Sequence, residues 1–283
     1  MPEDTAEKAC RSRRGPSDRV EPGNDSRVRT DARSGLRPRR CYAAATMSWL
    51  RVPAAIAVLA AVLALAPSPP AHAESTTVER LAREAPTLDR EVLTLAMRAL
   101  ACASRQTDAP APATLSVIDY SLPSTEPRMW VFDLARGRLL YRELVAHGRN
   151  TGANLATRFS NSPGSRMSSL GMFRTAESYV GANGYSLRLD GLEPGFNDLA
   201  RKRAIVIHGA PYVDGGIARG QGRLGRSLGC PAVRPAVARE LIDRIRGGSL
   251  VFAYYPDPEW LQQSRLLDAD CGAGTDRIAA GGR

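Results

Sequence analysis

The change of grammar at Asp108-Ala-Pro-Ala-Pro112 constrains the fold of this chain more than any other feature. Before it, from Val78 to Ala103, apolar residues recur with helical spacing: Val92, Leu95, Ala96, Ala99 and Leu100 fall on one stripe. Thr87, ahead of Leu88-Asp89-Arg90-Glu91, is the expected N-cap. After it come short strand patterns at Thr114–Tyr120, Met129–Leu134, Arg138–His147, Ser186–Leu189 and Ala204–His208, with Ala135-Arg136-Gly137 as a turn between the second and third. One more helix is expected from Pro235 to Arg246, with Val237, Leu241, Ile242 and Ile245 inward and Gly247-Gly248 stopping it. Ser249–Tyr255 reads as a closing buried strand. Strands follow strands without regular helical crossovers, so the expectation is a mainly β domain with a few helices rather than an alternating α/β enzyme.

The amino-terminal quarter belongs to no core. Residues 1–46 lack apolar periodicity and read as a mis-assigned or disordered leader. Residues 47–73 have the form of a secretory signal: Met47-Ser-Trp-Leu-Arg51, an uncharged run from Ala54 to Ala66, then Ala71-His72-Ala73 as a small-x-small cleavage site. That run is shorter than the roughly 20 residues needed to cross a bilayer. The expectation is therefore a periplasmic or secreted protein with no stable membrane insertion once the signal is removed. The remaining parts are expected to be a helical segment and linker at 74–110, a β-rich domain at 111–260 and a tail at 261–283.

Charge excludes one class of function. The chain has 39 Lys+Arg against 29 Asp+Glu, but residues 1–46 hold 11 against 7 of these, and Arg51 adds one more. The part after Ala73 carries only 27 against 22, without a basic stripe interleaved with aromatics, so no nucleic-acid partner is expected. The G-x-G-x-x-G run Gly220-Gln-Gly222-Arg-Leu-Gly225 lacks the preceding strand and following helix of a dinucleotide site, because Asp214–Arg219 reads as a loop.

Beyond Ala73 only three cysteines (102, 230 and 271) and two histidines (147 and 208) remain. In an oxidising compartment an odd cysteine draws notice. One solution pairs Cys102 with Cys271 and leaves Cys230 free, within the glycine-rich run Gly225-Arg-Ser-Leu-Gly-Cys230-Pro. A cysteine nucleophile needs a base, since only the thiolate attacks. His208, ending Ala204-Ile-Val-Ile207 and followed by Gly209, is the favoured base; His147 is favoured as a structural histidine. No histidine follows Cys230, which excludes the papain-like order. Two histidines without a clustered third ligand argue against a catalytic zinc, and no cofactor is expected.

These residues carry a resemblance. His208-Gly209 followed by Ser227-Leu228-Gly229-Cys230 resembles the signature of the L,D-transpeptidase (YkuD-type) catalytic domain. Ser169-Leu-Gly171, Ser186-Leu-Arg-Leu-Asp-Gly191, Arg203-Ala-Ile-Val-Ile-His-Gly209 and Gly225-Arg-Ser-x-Gly-Cys-Pro-Ala-Val233 are similar to its murein L,D-transpeptidase subgroup, over roughly Thr114 to Asp257. The resemblance implies a β-sandwich-type catalytic domain acting on peptidoglycan stem peptides. It implies Cys230 as nucleophile, His208 as base and Gly209 as the carbonyl that fixes its tautomer. The backbone N–H groups of Leu228, Gly229 and Cys230 become candidates for the oxyanion hole, with Ser227 lining or steadying the loop. The chain departs from the commoner pattern in having Leu228 where a histidine precedes Gly-Cys and Ala232 where an arginine follows. Recognition of a substrate carboxylate then falls to Arg226, Arg223 or Arg234, with Arg226 nearest the loop in sequence. Transfer to an amine, hydrolysis by an L,D-carboxypeptidase, an unrelated exported cysteine amidase and a non-catalytic wall-binding protein remain as alternatives.

Overall fold

The computed structural model describes residues 71–107, 109–268 and 271. The leader at 1–46, nearly all of the signal segment and most of the tail beyond residue 268 lie outside them.

Among the described residues two helices come first, α1 (Ala71–Glu84) and α2 (Arg90–Arg105). The continuous helical pattern is broken at Pro86, which has no N–H to donate and restricts the residue before it. The new helix is capped by Asp89 rather than Thr87: its carboxylate accepts from the N–H groups of Glu91 and Val92. The buried face of α2 is Val92, Leu93, Ala96, Ala99, Leu100, Cys102 and Ala103, so Leu93 joins the stripe and Leu95 sits at its margin. A disulfide links Cys102 to Cys271, with Cα atoms 5.6 Å apart, and ties the end of α2 to the chain beyond residue 268.

Nine strands follow, β1 (Thr114–Asp119), β2 (Met129–Asp133), β3 (Arg138–Glu143), β4 (Val145–Ala146), β5 (Gly171–Gly181), β6 (Gly184–Gly191), β7 (Val206–Gly209), β8 (Ala232–Val233) and β9 (Leu250–Tyr254). They form one sheet in the order β3-β2-β1-β9-β5-β6-β7-β8-β4. Its two outer strands, β3 and β4, are separated in sequence by Leu144 alone. A sheet whose opposite edges are joined by one residue must curl back on itself, and the result is a nearly closed, mainly β domain. The single strand expected over Arg138–His147 is therefore two, which part company at Leu144 to serve opposite edges. The 11-residue β5 lies in a stretch where sequence periodicity suggested no strand; it mixes polar and small residues, and it pairs with β9 on one side and β6 on the other.

The sheet is mixed, with β1–β9 and β7–β8 parallel and the remaining pairs antiparallel. The core contains Trp130, Phe132, Met172, Phe252 and Trp260, all essentially inaccessible to solvent. Three short helices complete the domain: α3 (Gly215–Gln221), α4 (Pro235–Ile245) and α5 (Pro258–Gln263). The segment expected to be a loop after Asp214 is helix α3, because Asp214 caps it by accepting from Gly216 and Ile217. It ends at the glycine-rich run instead of opening there, the reverse of a dinucleotide-binding turn. Helix α4 packs on β7, and Gly209 permits this approach: a Cβ there would stand 2.8 Å from the Ala238 Cβ.

Candidate active site

The site is built by one parallel pairing. His208 and Gly209 at the end of β7 lie opposite Ala232 and Val233 of β8, and the His208 N–H donates to the Pro231 carbonyl at 3.4 Å. Cys230 is the residue before Pro231, so the pairing brings its backbone to the end of β7. Among the described residues Cys230 is the free cysteine, and it is 8% exposed.

The two ring nitrogens of His208 have different roles. Nδ1 lies 3.0 Å from the Gly209 carbonyl, which can only accept, so in the neutral ring Nδ1 carries the proton and Nε2 keeps its lone pair. Burial holds this imidazole below its ordinary pKa, against the Gly209 hydrogen bond that favours the cation. It is therefore neutral at pH 7.

The sulfur makes two contacts of its own. Sγ accepts from the Val206 N–H at 3.4 Å and donates to the Ala204 carbonyl at 3.7 Å. Burial pushes the thiol up, opposed by the Val206 N–H and then by the positive charge of Arg203. The thiol hydrogen-bonds to these groups at the start of β7 rather than to the imidazole.

The nucleophile loop is pinned from both sides. The Ser227 N–H donates to the His147 carbonyl at 3.0 Å and its own carbonyl accepts from Arg149 N–H at 2.8 Å. Ser227 Oγ donates to the Cys230 carbonyl at 2.7 Å and accepts from Gly229 N–H at 3.1 Å. The Gly229 N–H is thus engaged within the loop, which leaves Leu228 and Cys230 as the other backbone donors of the expected oxyanion set. Gly229 has φ of 129°, a conformation other residues avoid, and a Cβ would meet the Met167 carbonyl at 2.8 Å. Ser168 Oγ donates to the Gly229 carbonyl at 3.0 Å. Leu228 stands 63% exposed beside this tightly held backbone.

The arginines proposed from sequence for carboxylate recognition each have a partner in the protein, though Arg223 and Arg226 engage one terminal nitrogen only. Arg226 donates to the carbonyls of Arg149 and Gly152, Arg223 to that of Leu224, and Arg234 forms a fork with Glu143 at 2.7 and 2.8 Å. Arg226 therefore fastens the nucleophile loop to residues 149–152.

His147 belongs to a different arrangement. Its Nδ1 lies 2.7 Å from the fully buried Arg128, which can only donate, so the proton of this neutral ring is on Nε2. Burial and then the Arg128 charge hold the ring down to about 4. Arg128 also donates to the carbonyls of Val145 and Leu122 and lies over the Tyr120 ring at 5.2 Å. Sequence reading missed Arg128, Tyr120 and Arg203. Arg203 opens the block Arg203–Gly209 and was within reach; nothing in the residues around Arg128 marks it, since its partners come from the turns and strands on either side of β2.

Among the described residues no group of three or more His, Cys, Asp or Glu is placed to hold a metal ion, and no helix is long and apolar enough to cross a membrane.

A mainly β domain with a free buried thiol just ahead of one strand and an imidazole at the end of the strand beside it defines a narrow class of protein. The family model of the L,D-transpeptidase catalytic domain matches residues 84–254, and the chain belongs to that family. No curated protein matches it. Similar solved structures include an L,D-transpeptidase in complex with imipenem, at 16% identity and a TM-score of 0.32, covering 50% of this chain and 59% of that one. An L,D-transpeptidase from Mycobacterium smegmatis is 14% identical with a TM-score of 0.33, over 50% and 59% of the two chains. One from Stackebrandtia nassauensis is 13% identical with a TM-score of 0.30, over 64% and 77%. The chain thus spans 59% of the length of the first two.

Proposed function

We propose that the protein is an exported L,D-transpeptidase in which Cys230 is acylated by a peptidoglycan stem peptide and passes the acyl group to an amine. The observation that carries this reading is a buried free thiol two residues before Ala232, the strand partner of His208, whose Nδ1 is fixed by the Gly209 carbonyl. The signal-like segment at 47–73 and the wall substrate that the family implies support the exported part of this reading, in the periplasm or outside the cell.

The chemistry follows from the protonation states. Burial makes the thiolate scarce, so the thiol must lose its proton as it attacks. Sγ turns about the Cα–Cβ bond from Ala204 towards Nε2 of His208, which takes the proton while sulfur bonds to the carbonyl carbon of the third stem residue. The oxyanion develops near the Leu228 and Cys230 N–H groups; one such donor is worth about 3–4 kcal/mol. The tetrahedral species collapses as imidazolium protonates the leaving nitrogen of the terminal D-Ala, giving a thioester. An amine of a second stem then attacks the thioester and loses its proton to His208, and the sulfur leaves as thiol. The products are a 3–3 cross-link and the restored enzyme. Water in place of the amine gives hydrolysis instead.

Carbapenems, which the resemblance implies as acylating agents, test the assignment. Intact-mass analysis of the mature protein is expected to show one covalent adduct per chain, and Cys230→Ala is expected to show none. A stoichiometric adduct on the alanine variant contradicts the assignment.

A further inference from the structure

Some arginines in this fold are matched to carboxylates, as Arg201 is to Glu177 and Asp190 and Arg234 to Glu143; others, the fully buried Arg128 among them, are held by neutral acceptors. Arg203 is of the second kind. Half-buried, it gives its terminal nitrogens to four neutral acceptors: the carbonyls of Ser160 (2.8 Å) and Met167 (2.6 Å) and the hydroxyls of Ser165 (3.1 Å) and Ser169. None of the described carboxylates forms an ion pair with it. Neutral acceptors satisfy the donors of this fork without cancelling its charge, so the positive charge stays available to a negative charge that forms beside it.

The nearest candidate for that charge is the Cys230 sulfur. Arg203 NH2 lies 3.5 Å from the position a Cβ would take on Gly229, the residue next to Cys230. The sulfur itself contacts Ala204 and Val206, immediately after Arg203. Ala204 has φ of 54°, unusual for a residue with a side chain. That conformation closes a helical turn, with Ala204 N–H on the Arg201 carbonyl and Ile205 N–H on the Ala200 carbonyl, both at 3.0 Å. The strained turn sets the guanidinium and the sulfur's two backbone partners around one point.

We infer that Arg203 is a positioning residue for the nucleophile, the fixed positive charge that supports the Cys230 thiolate while its fork anchors residues 160–169. The inference rests on Cys230 being the nucleophile. With both terminal nitrogens engaged, the fork is not free to grip a substrate carboxylate side-on, so its contribution is charge. The other titratable groups around the sulfur do not compete. Tyr120, just past β1, is pushed up to about 12 by burial against the opposing Arg128 charge, and Tyr212, after β7, to about 12 by burial and then by the Cys230 thiolate, so both stay neutral at pH 7. His208, on β7, is neutral there too. Arg203 and Cys230 each favour the charged form of the other.

The test is the pH dependence of Cys230 alkylation by iodoacetamide, followed by intact mass on the folded full chain. The midpoint is expected to rise by about one pH unit in Arg203→Met, the size of one screened charge a few ångströms away. Arg203→Lys keeps the charge and loses the fork, and its midpoint is expected to stay within a few tenths of wild type. The double variant Ser165→Ala/Ser169→Ala, which loosens the clamp and keeps the guanidinium, is also expected to titrate like wild type. An unchanged midpoint in Arg203→Met overturns the inference. So does a full-unit rise in Arg203→Lys, which remains decisive if the methionine variant does not fold. Alkylation needs no substrate, so failure of carbapenem acylation with a normal alkylation series would count against the proposed function alone.

Discussion

The ends of β4 and β7 look alike in sequence and differ in chemistry. Each strand leads into a histidine and a glycine, His147-Gly148 and His208-Gly209, and both rings are buried. The difference lies in what grips Nδ1. A guanidinium that can only donate makes His147 an acceptor at Nδ1, puts its proton on Nε2 and suppresses the cation. A carbonyl that can only accept makes His208 a donor at Nδ1 and frees Nε2 to receive a proton. A strand end supplies rigidity, but the partner of the far nitrogen decides whether an imidazole serves as a base or as a structural acceptor.

The sharpest test of this contrast is kinetic. His208→Ala is expected to slow carbapenem acylation of Cys230 by about 10²–10⁴-fold, the usual worth of a positioned general base. His147→Asn is expected to leave the rate of the folded fraction within about tenfold of wild type. Stopped-flow acylation of both variants would break the comparison if the two losses were equal.

The next effect is on stability and has a definite sign. Unfolded His147 takes up a proton as pH falls through 6.5, whereas the folded ring refuses it until about 4. The unfolded state then binds more protons, so stability falls as the pH drops from 6.5 to 4, by about 3 kcal/mol from this one group. His208, also lowered by burial, acts in the same direction. Urea titrations at several pH values are expected to show that slope in wild type and a flatter one in His147→Asn.

Ser227 joins the two regions, with its N–H on the His147 carbonyl and its hydroxyl on the Cys230 carbonyl. Ser227→Ala removes the hydroxyl bonds and leaves the backbone link. Acylation is expected to fall by about tenfold, roughly one hydrogen bond's worth of loop order, with little change in the acid slope. A loss as large as that of His208→Ala would mean that Ser227 acts on the reacting atoms directly.

Much of this was legible in the sequence because it is local. The apolar run before His208, the glycine-rich run around Cys230, and Pro235 opening with Gly247-Gly248 closing helix α4 are written within a few residues each. What was not legible depends on pairing across the chain. Strand β5 shows no clean alternation because its register shifts between Thr175 and Ser178. Leu144 gives no sign that the strands on either side of it go to opposite edges of the sheet. The Arg234 side chain reads as open to a ligand until Glu143 is seen to hold both its Nε and a terminal nitrogen. Arg128 and His147 meet because β2 pairs with β3 and the chain runs from β3 through β4 to His147.

The central claim is that one sulfur carries the acyl group between two stem peptides. The most direct measurement is mass spectrometry of the mature protein incubated with disaccharide-tetrapeptide, following protein and products together. The account predicts release of D-Ala, a cross-linked dimer, and a transient acyl mass on the peptide containing Cys230. Tight binding of the substrate with no D-Ala released and no mass added to Cys230 would contradict it.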